Sequence, residues 1–303
     1  MPPPATRQFR VDTRSASLEV FECGEGDSLA LCLHGFPEHA ISWRHQAPFL
    51  ADLGYRVWMP NLRGYGHSSL FTGSEHYRLE VLVEDLSDLM TAAQANRVLL
   101  VGHDWGATIG WYYLMGNPQR LPDGFVAINA YEPRQWPNLL QGQQIYKSAY
   151  LGILLSGMPE LLNSYMEGMG LNRYLDFWLN RIGAVSDEAI RLYRWNISRP
   201  GGLTAMLNYY RANLNPLYVG PTLLSSLNNP VHAPVLLMNG KEDPFIGPEM
   251  YKGKHPLTRD LESHEISGGY HWLQQEKPQV VNELIEDWLI RKNILSPAGE
   301  RVA

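Results

Sequence analysis

Val98-Leu-Leu-Val-Gly102-His103-Asp104-Trp105-Gly106-Ala107, running on into Trp111-Tyr112-Tyr113, decides the fold. Residues 98–101 read as a short buried strand and the run after Gly106 as a helix, with a Gly-x-Asp-x-Gly turn between them. Glycines on both sides let one side chain project from a strained strand-to-helix bend, the form of a nucleophile elbow. The projecting residue is Asp104. A helix N-cap is the plainer role for aspartate in that place, so the rest of the chain has to decide between the two.

Outward from the elbow, residues 29–33, 55–59 and 125–129 read as further buried strands, short, apolar and bounded by Gly, Pro or Asn. Between them Leu79, Leu82, Val83, Leu86, Leu89 and Met90 recur at helical spacing, with Glu80, Glu84, Asp85 and Asp88 on the other face. Such alternation predicts an α/β fold with a mostly parallel sheet covered on both sides. From 135 to 229 the pattern changes to helix-like, aromatic-rich segments with Gly and Asn breaks and no strand. Strands resume at 235–239 and 261–266. A last helix starts near Pro278 and is expected to bury Val280, Val281, Leu284, Ile285, Trp288 and Leu289. The reading is a core made of 1–134 and 230–303, with a helical cap, 135–229, inserted into it.

At 303 residues and 45% hydrophobic, the chain is long enough for one large core with a modest second lobe. A net charge of −6 with scattered basic residues argues against nucleic acid or an anionic membrane as partner. Cys23 and Cys32 suggest neither a disulfide framework nor a zinc site. Met1-Pro-Pro-Pro4 lacks the apolar region of a signal peptide, and no apolar stretch reaches the length of a membrane span. A cytoplasmic location is therefore expected.

An aspartate nucleophile needs a base to activate water, and the base needs an orienting carboxylate. Enzymes built on such an elbow carry nucleophile, acid and histidine in that order. Asp243 follows strand 235–239 in Gly240-Lys-Glu-Asp243-Pro244, and His271 sits in Gly268-Gly-Tyr-His271-Trp272 after strand 261–266. Both follow the carboxyl ends of strands, where ligands gather in open α/β sheets. His34 and His103 adjoin glycine turns and are expected to hold loops. The strand that ends in His34-Gly35-Phe36-Pro37-Glu38 aims a backbone N–H at the site, and Phe36 and Trp105 together would supply an oxyanion hole. Gly-x-Ser-x-Gly is absent, since Gly66-His-Ser68-Ser69 ends in Leu70, which argues against a serine esterase.

Together, His34-Gly-Phe-Pro-Glu38, Arg63-Gly-Tyr-Gly-His-Ser68, Gly102-His-Asp-Trp-Gly106, Asp243 and Gly269-Tyr-His271-Trp272 resemble the epoxide hydrolase branch of the α/β-hydrolase superfamily. Haloalkane dehalogenases are its nearest relatives. The resemblance covers both core segments. It implies that Asp104 attacks an epoxide to give an alkyl ester, which water activated by His271 and Asp243 hydrolyses to a vicinal diol. It also implies two cap tyrosines that donate to the leaving oxygen. Tyr210, in Asn208-Tyr-Tyr-Arg211, matches the second; Tyr150 is the choice for the first, with Tyr146 one helical turn earlier as the alternative. Phe36, Pro37 and Trp105 would line the substrate pocket. Trp136, Tyr146, Leu154, Leu155, Phe177 and Trp178 suggest an apolar substrate. No cofactor or metal is implied, and a homodimer is compatible with the sequence.

A haloalkane dehalogenase would use the same aspartate, but it carries Asn or Trp after His-Gly where this chain has Phe36. Glu132 would replace Asp243 as the acid in some dehalogenases. Fluoroacetate dehalogenases follow the nucleophile with an arginine, and here Trp105 stands there. A non-catalytic ligand-binding protein on the same scaffold is the alternative from another class, because fold does not fix function.

Overall fold

Short runs rich in Val, Leu and Ile, ended by Gly, Pro or Asn, satisfy their backbone groups best side by side in one buried sheet. A computed structural model describes residues 7–116, 118–165, 185–214 and 225–295. Its strands are β1 Arg7–Asp12, β2 Ser17–Cys23, β3 Ser28–Leu33, β4 Tyr55–Pro60, β5 Arg97–His103, β6 Gly124–Ile128, β7 Val235–Gly240 and β8 Leu261–Ile266. They lie in the order β1-β2-β4-β3-β5-β6-β7-β8, parallel from β4 to β8, with β2 antiparallel to both of its neighbours. The six expected strands are all present. β1 and β2 are the addition; β1, Arg-Gln-Phe-Arg-Val-Asp, is a half-polar edge strand that no apolar run marks.

The helices are α1 Gln46–Asp52, α2 Leu79–Ala92, α3 Trp105–Met115, α4 Gln144–Lys147, α5 Tyr150–Leu155, α6 Met158–Tyr165, α7 Asp187–Ser198, α8 Gly202–Asn213, α9 Leu273–Glu276 and α10 Pro278–Arg291. Successive strand side chains point to opposite faces. Leu29, Leu31, Leu100 and Phe125 therefore pack with Leu82 and Leu86 of α2 and Trp111 of α3. Ala30, Cys32, Leu99 and Val101 pack on the other side with Leu50 of α1 and Ile285 of α10. α10 buries Val281, Ile285, Trp288 and Leu289 as expected, but Val280 is 38% exposed because its position lies off that stripe. Asp85, assigned to the polar face of α2, is instead buried against the equally buried Arg63 in a two-pronged ion pair of 2.6 and 2.7 Å.

Between β6 and β7 the described residues form helices and no strand, led in by a 3-10 stretch, Pro133–Leu140. Phe177 and Trp178 lie outside the described residues. α8 is tied to the core by polar contacts: the Tyr209 hydroxyl donates to the Arg63 carbonyl at 2.8 Å, and the Asn213 amide donates to the Tyr77 carbonyl at 2.8 Å. Neighbouring residues of a helix point about 100° apart, so fixing Tyr209 on the core turns Tyr210 elsewhere. No helix among the described residues is long and apolar enough to cross a membrane.

Candidate active site

The elbow is as tight as its glycines suggest. A Cβ at residue 106 would sit 2.1 Å from the Leu33 carbonyl oxygen, and one at residue 102 would sit 2.6 Å from the Ala107 nitrogen. Asp104 has φ 50° and ψ −118°, a backbone state that costs a non-glycine residue roughly 1–3 kcal/mol. It occupies the N-cap position of α3, yet its side chain makes no capping hydrogen bond. Its Oδ1 instead accepts the Phe36 N–H at 2.7 Å, and the Trp105 N–H also acts on the carboxylate. Burial raises the pKa of Asp104 above the usual carboxylate range, against the opposing pull of His271, His103 and these two N–H groups.

Asp243 and His271 converge on it from the ends of β7 and β8. The His271 Nδ1 lies 2.9 Å from Asp243 Oδ2, and its Nε2 lies 3.8 Å from Asp104 Oδ2. A carboxylate only accepts, so Nδ1 carries the proton and Nε2 faces Asp104. Asp243 is fully buried, and its Oδ1 accepts from the N–H groups of Phe245 at 2.7 Å and Ile246 at 3.0 Å. Burial alone would raise its pKa; His271 and these donors more than offset that and hold it below the usual range. Burial likewise opposes charge on His271, but Asp243 and then Asp104 outweigh it and lift the imidazole to about 9. In the resting site Asp243 is therefore ionised and His271 protonated at neutral pH.

Opposite this group stand aromatic side chains. Tyr210 meets Trp105 and Phe36 edge to face at 5.2 and 5.3 Å, and the Trp105 indole acts as a hydrogen-bond donor toward its hydroxyl. Burial, followed by the charge of Asp104, holds the Tyr210 phenol well above its ordinary range, so it stays protonated. Tyr150 packs on Phe245 at 5.0 Å and lines the same cavity as Asp104, Tyr210 and His271. Tyr146, the alternative to Tyr150, is 82% exposed. Of the expected pocket residues, Trp105 lines this cavity, Phe36 is half-buried beside it, and Pro37 is buried, joined to Phe36 by a cis peptide bond. Trp136 also lines it. Among the described residues no group of three or more His, Cys, Asp or Glu side chains is arranged to hold a metal ion.

Comparison with known proteins decides the family. The α/β hydrolase fold family matches residues 31–278. Epoxide hydrolase 3 of Xenopus tropicalis is 33% identical over 269 residues, covering 86% of this chain and 71% of that one. The AB hydrolase superfamily protein YfhM of Bacillus subtilis is 31% identical over 290 residues, covering 92% and 96%. The crystal structure of an epoxide hydrolase from Bacillus megaterium in complex with an inhibitor superposes with a TM-score of 0.80 at 27% identity, covering 93% of this chain and 99% of that one. The chain belongs to the epoxide hydrolase branch of the α/β-hydrolase fold superfamily. It is a hydrolase.

Residues around this group support the site of this hydrolase, Asn129 and Glu38 among them in roles that sequence reasoning passed over. Asn129, at φ 43° just after β6, donates from one amide nitrogen to Asp243 Oδ2 at 2.7 Å and to the Tyr270 carbonyl at 2.9 Å. The only signal for it was an asparagine at a strand's carboxyl end, which also suits a simple turn. His103, expected to hold a loop, places Nε2 2.8 Å from the His271 carbonyl and Nδ1 2.7 Å from Glu38. Glu38 in turn accepts from Gln274 at 2.9 Å and Gln275 at 2.8 Å, so the β3 loop clamps the segment that carries His271. His34 accepts the Leu62 N–H at 3.1 Å. Glu132 is committed elsewhere: it accepts from Thr258 at 2.9 Å and pairs with Arg134 and His255.

Proposed function

We propose that this chain hydrolyses epoxides to vicinal diols through a covalent ester on Asp104. The observation that carries the reading is the division of labour within one carboxylate. Oδ1 is held by the Phe36 N–H at 2.7 Å, while Oδ2 lies 3.8 Å from His271, too far for a hydrogen bond and free to attack. In the first step Oδ2 bonds to an epoxide carbon, the carbon–oxygen bond opens, and a phenol proton from Tyr210 or Tyr150 goes to the alkoxide. In the second, water loses a proton to His271 Nε2 and attacks the ester carbonyl. The oxyanion develops on Oδ1, where the N–H groups of Phe36 and Trp105 are already aimed. Collapse releases the diol and restores the carboxylate, and the proton taken up by His271 returns to the phenolate left by the first step. Residues 135–229 are assigned to a cap that carries both phenols, and an apolar epoxide is the substrate class that the aromatic walls favour. Cys23 and Cys32, both buried and not joined in a disulfide, suit a reducing, cytoplasmic setting.

The charge state of His271 gives the scheme an order. Esterification removes the Asp104 charge, one of those that lift the imidazole to about 9, and so frees Nε2 to act as base once the ester exists. The neutral imidazole is the reactive form, so hydrolysis should speed up as pH rises. We expect rapid-quench mass spectrometry to find more alkyl-enzyme at steady state near about pH 6 than near about pH 8.5. A fraction that rose with pH would contradict the role of His271.

The phenol role has its own test. Tyr210→Phe should slow alkylation by roughly 10²-fold or more, while halide release from any 1-haloalkane that reacts should change little. Stopped-flow quenching of tryptophan fluorescence reads the first step; equal losses on both substrates would remove the proton-donor role. The halide reading is also less favoured because the Trp105 indole is directed at the Tyr210 hydroxyl. Diol formation from terminal, aryl and long-chain epoxides, with 1-haloalkanes alongside, tests the reaction class.

A further inference from the structure

One polar group lining the cavity beside Asp104 has no task in the scheme above. Tyr131 lies three residues beyond the end of β6, after the Asn129 that holds Asp243. It is half-buried, packs on the core cluster shared with α3, and lines the cavity together with Asp104, Thr108 and Trp136. Among the described residues its hydroxyl has no hydrogen-bond partner, and it is not sealed inside the protein. Burial, then Tyr112 and Asp104, hold the phenol well above its ordinary range, so it remains a neutral donor. Tyr150 and Tyr210, the two other phenols of the cavity, stand instead against Phe245 and Trp105.

We infer that Tyr131 is a specificity residue whose hydroxyl donates to an ether oxygen carried next to the epoxide ring, so that glycidyl-ether-type substrates are preferred over hydrocarbon epoxides of the same shape. The inference rests on the epoxide reading above and names the substrate class for that same site. The physical reason is an asymmetry. A hydrocarbon chain seated against the hydroxyl removes its access to water and returns nothing, whereas an ether oxygen replaces the lost partner. A methylene in that place is nearly the same size, so the pair isolates the hydrogen bond from the packing.

The experiment compares phenyl glycidyl ether with 4-phenyl-1,2-epoxybutane, in which CH2 replaces the ether oxygen, on the wild type and on Tyr131→Phe. The expected result is a kcat/KM ratio of roughly 3- to 10-fold in favour of the ether for the wild type. In Tyr131→Phe the ratio should fall to about one, because the hydrocarbon substrate no longer strands a hydroxyl and gains on the ether. A packing role would lower both substrates together and leave the ratio unchanged, which overturns the inference. A wild type that shows no preference for the ether overturns it without need of the variant. Diol from neither substrate overturns the epoxide reading itself, and the inference with it.

Discussion

Asp104→Ala is expected to bring diol formation down to the level of the uncatalysed background, a loss of roughly 10⁴-fold or more. The size follows from the role. In the proposed scheme a group that forms a covalent bond in the first step and is regenerated in the second has no substitute, and Asp243, the buried carboxylate beside His271, is held by Asn129 and two backbone N–H groups. The fold should not suffer. Asp104 makes no helix-capping bond, and burial raises its pKa above the unfolded value, so its ionised form is a burden on the folded state at neutral pH. Alanine removes that burden and keeps the same backbone strain. Thermal unfolding should therefore occur at or above the wild-type temperature. Loss of activity with a clearly lower melting point would trace to unfolding rather than to chemistry and would remove this support for the nucleophile.

His271→Gln separates the two steps. Glutamine still offers a donor to Asp243, but it cannot take a proton from water, so the ester should form and stay. One adduct with the mass of one epoxide should accumulate per chain, and steady turnover should drop by roughly 10³-fold or more. Loss of the imidazolium also withdraws a charge that favours ionised Asp104. Alkylation should accordingly weaken on the acid side, and the trapping is best run near about pH 8. Intact mass spectrometry reads the adduct directly. An unmodified chain, under conditions where the wild type turns over, would count against a histidine that acts in the second step alone.

Much of this was legible in the sequence because the signals were local. Gly102, Asp104 and Gly106 announce a bend that only small neighbours allow, and the close approach of residue 106 to the Leu33 carbonyl shows why. Asp243 and His271 could be chosen because each follows a strand in the right order. What stayed hidden needed three-dimensional knowledge. Asn129 looks like any turn residue until Asp243 is placed 2.7 Å from its amide. Asp85 reads as a solvated helix residue, and only its meeting with Arg63, far away in sequence, makes burial of the charge tolerable. Val280 was misplaced because one step along a helix rotates a side chain by about 100°, enough to leave the buried stripe. The adjacent tyrosines of α8 fall between these cases. By residue type Tyr209 and Tyr210 are alike; only the resemblance pointed to Tyr210, and the hydrogen bond from Tyr209 to the Arg63 carbonyl is the physical difference between them.

The ester on Asp104 is the central claim, and a single turnover in water enriched in oxygen-18 tests it most directly. Enzyme in excess over a small epoxide is quenched after one cycle, and both the diol and the peptide that contains Asp104 are weighed. In the proposed scheme water attacks the ester carbonyl, so the first diol carries an unlabelled oxygen from Asp104 and the peptide gains one heavy oxygen. A heavy diol beside an unlabelled peptide would mean that water attacks the epoxide itself, with Asp104 acting only as a base.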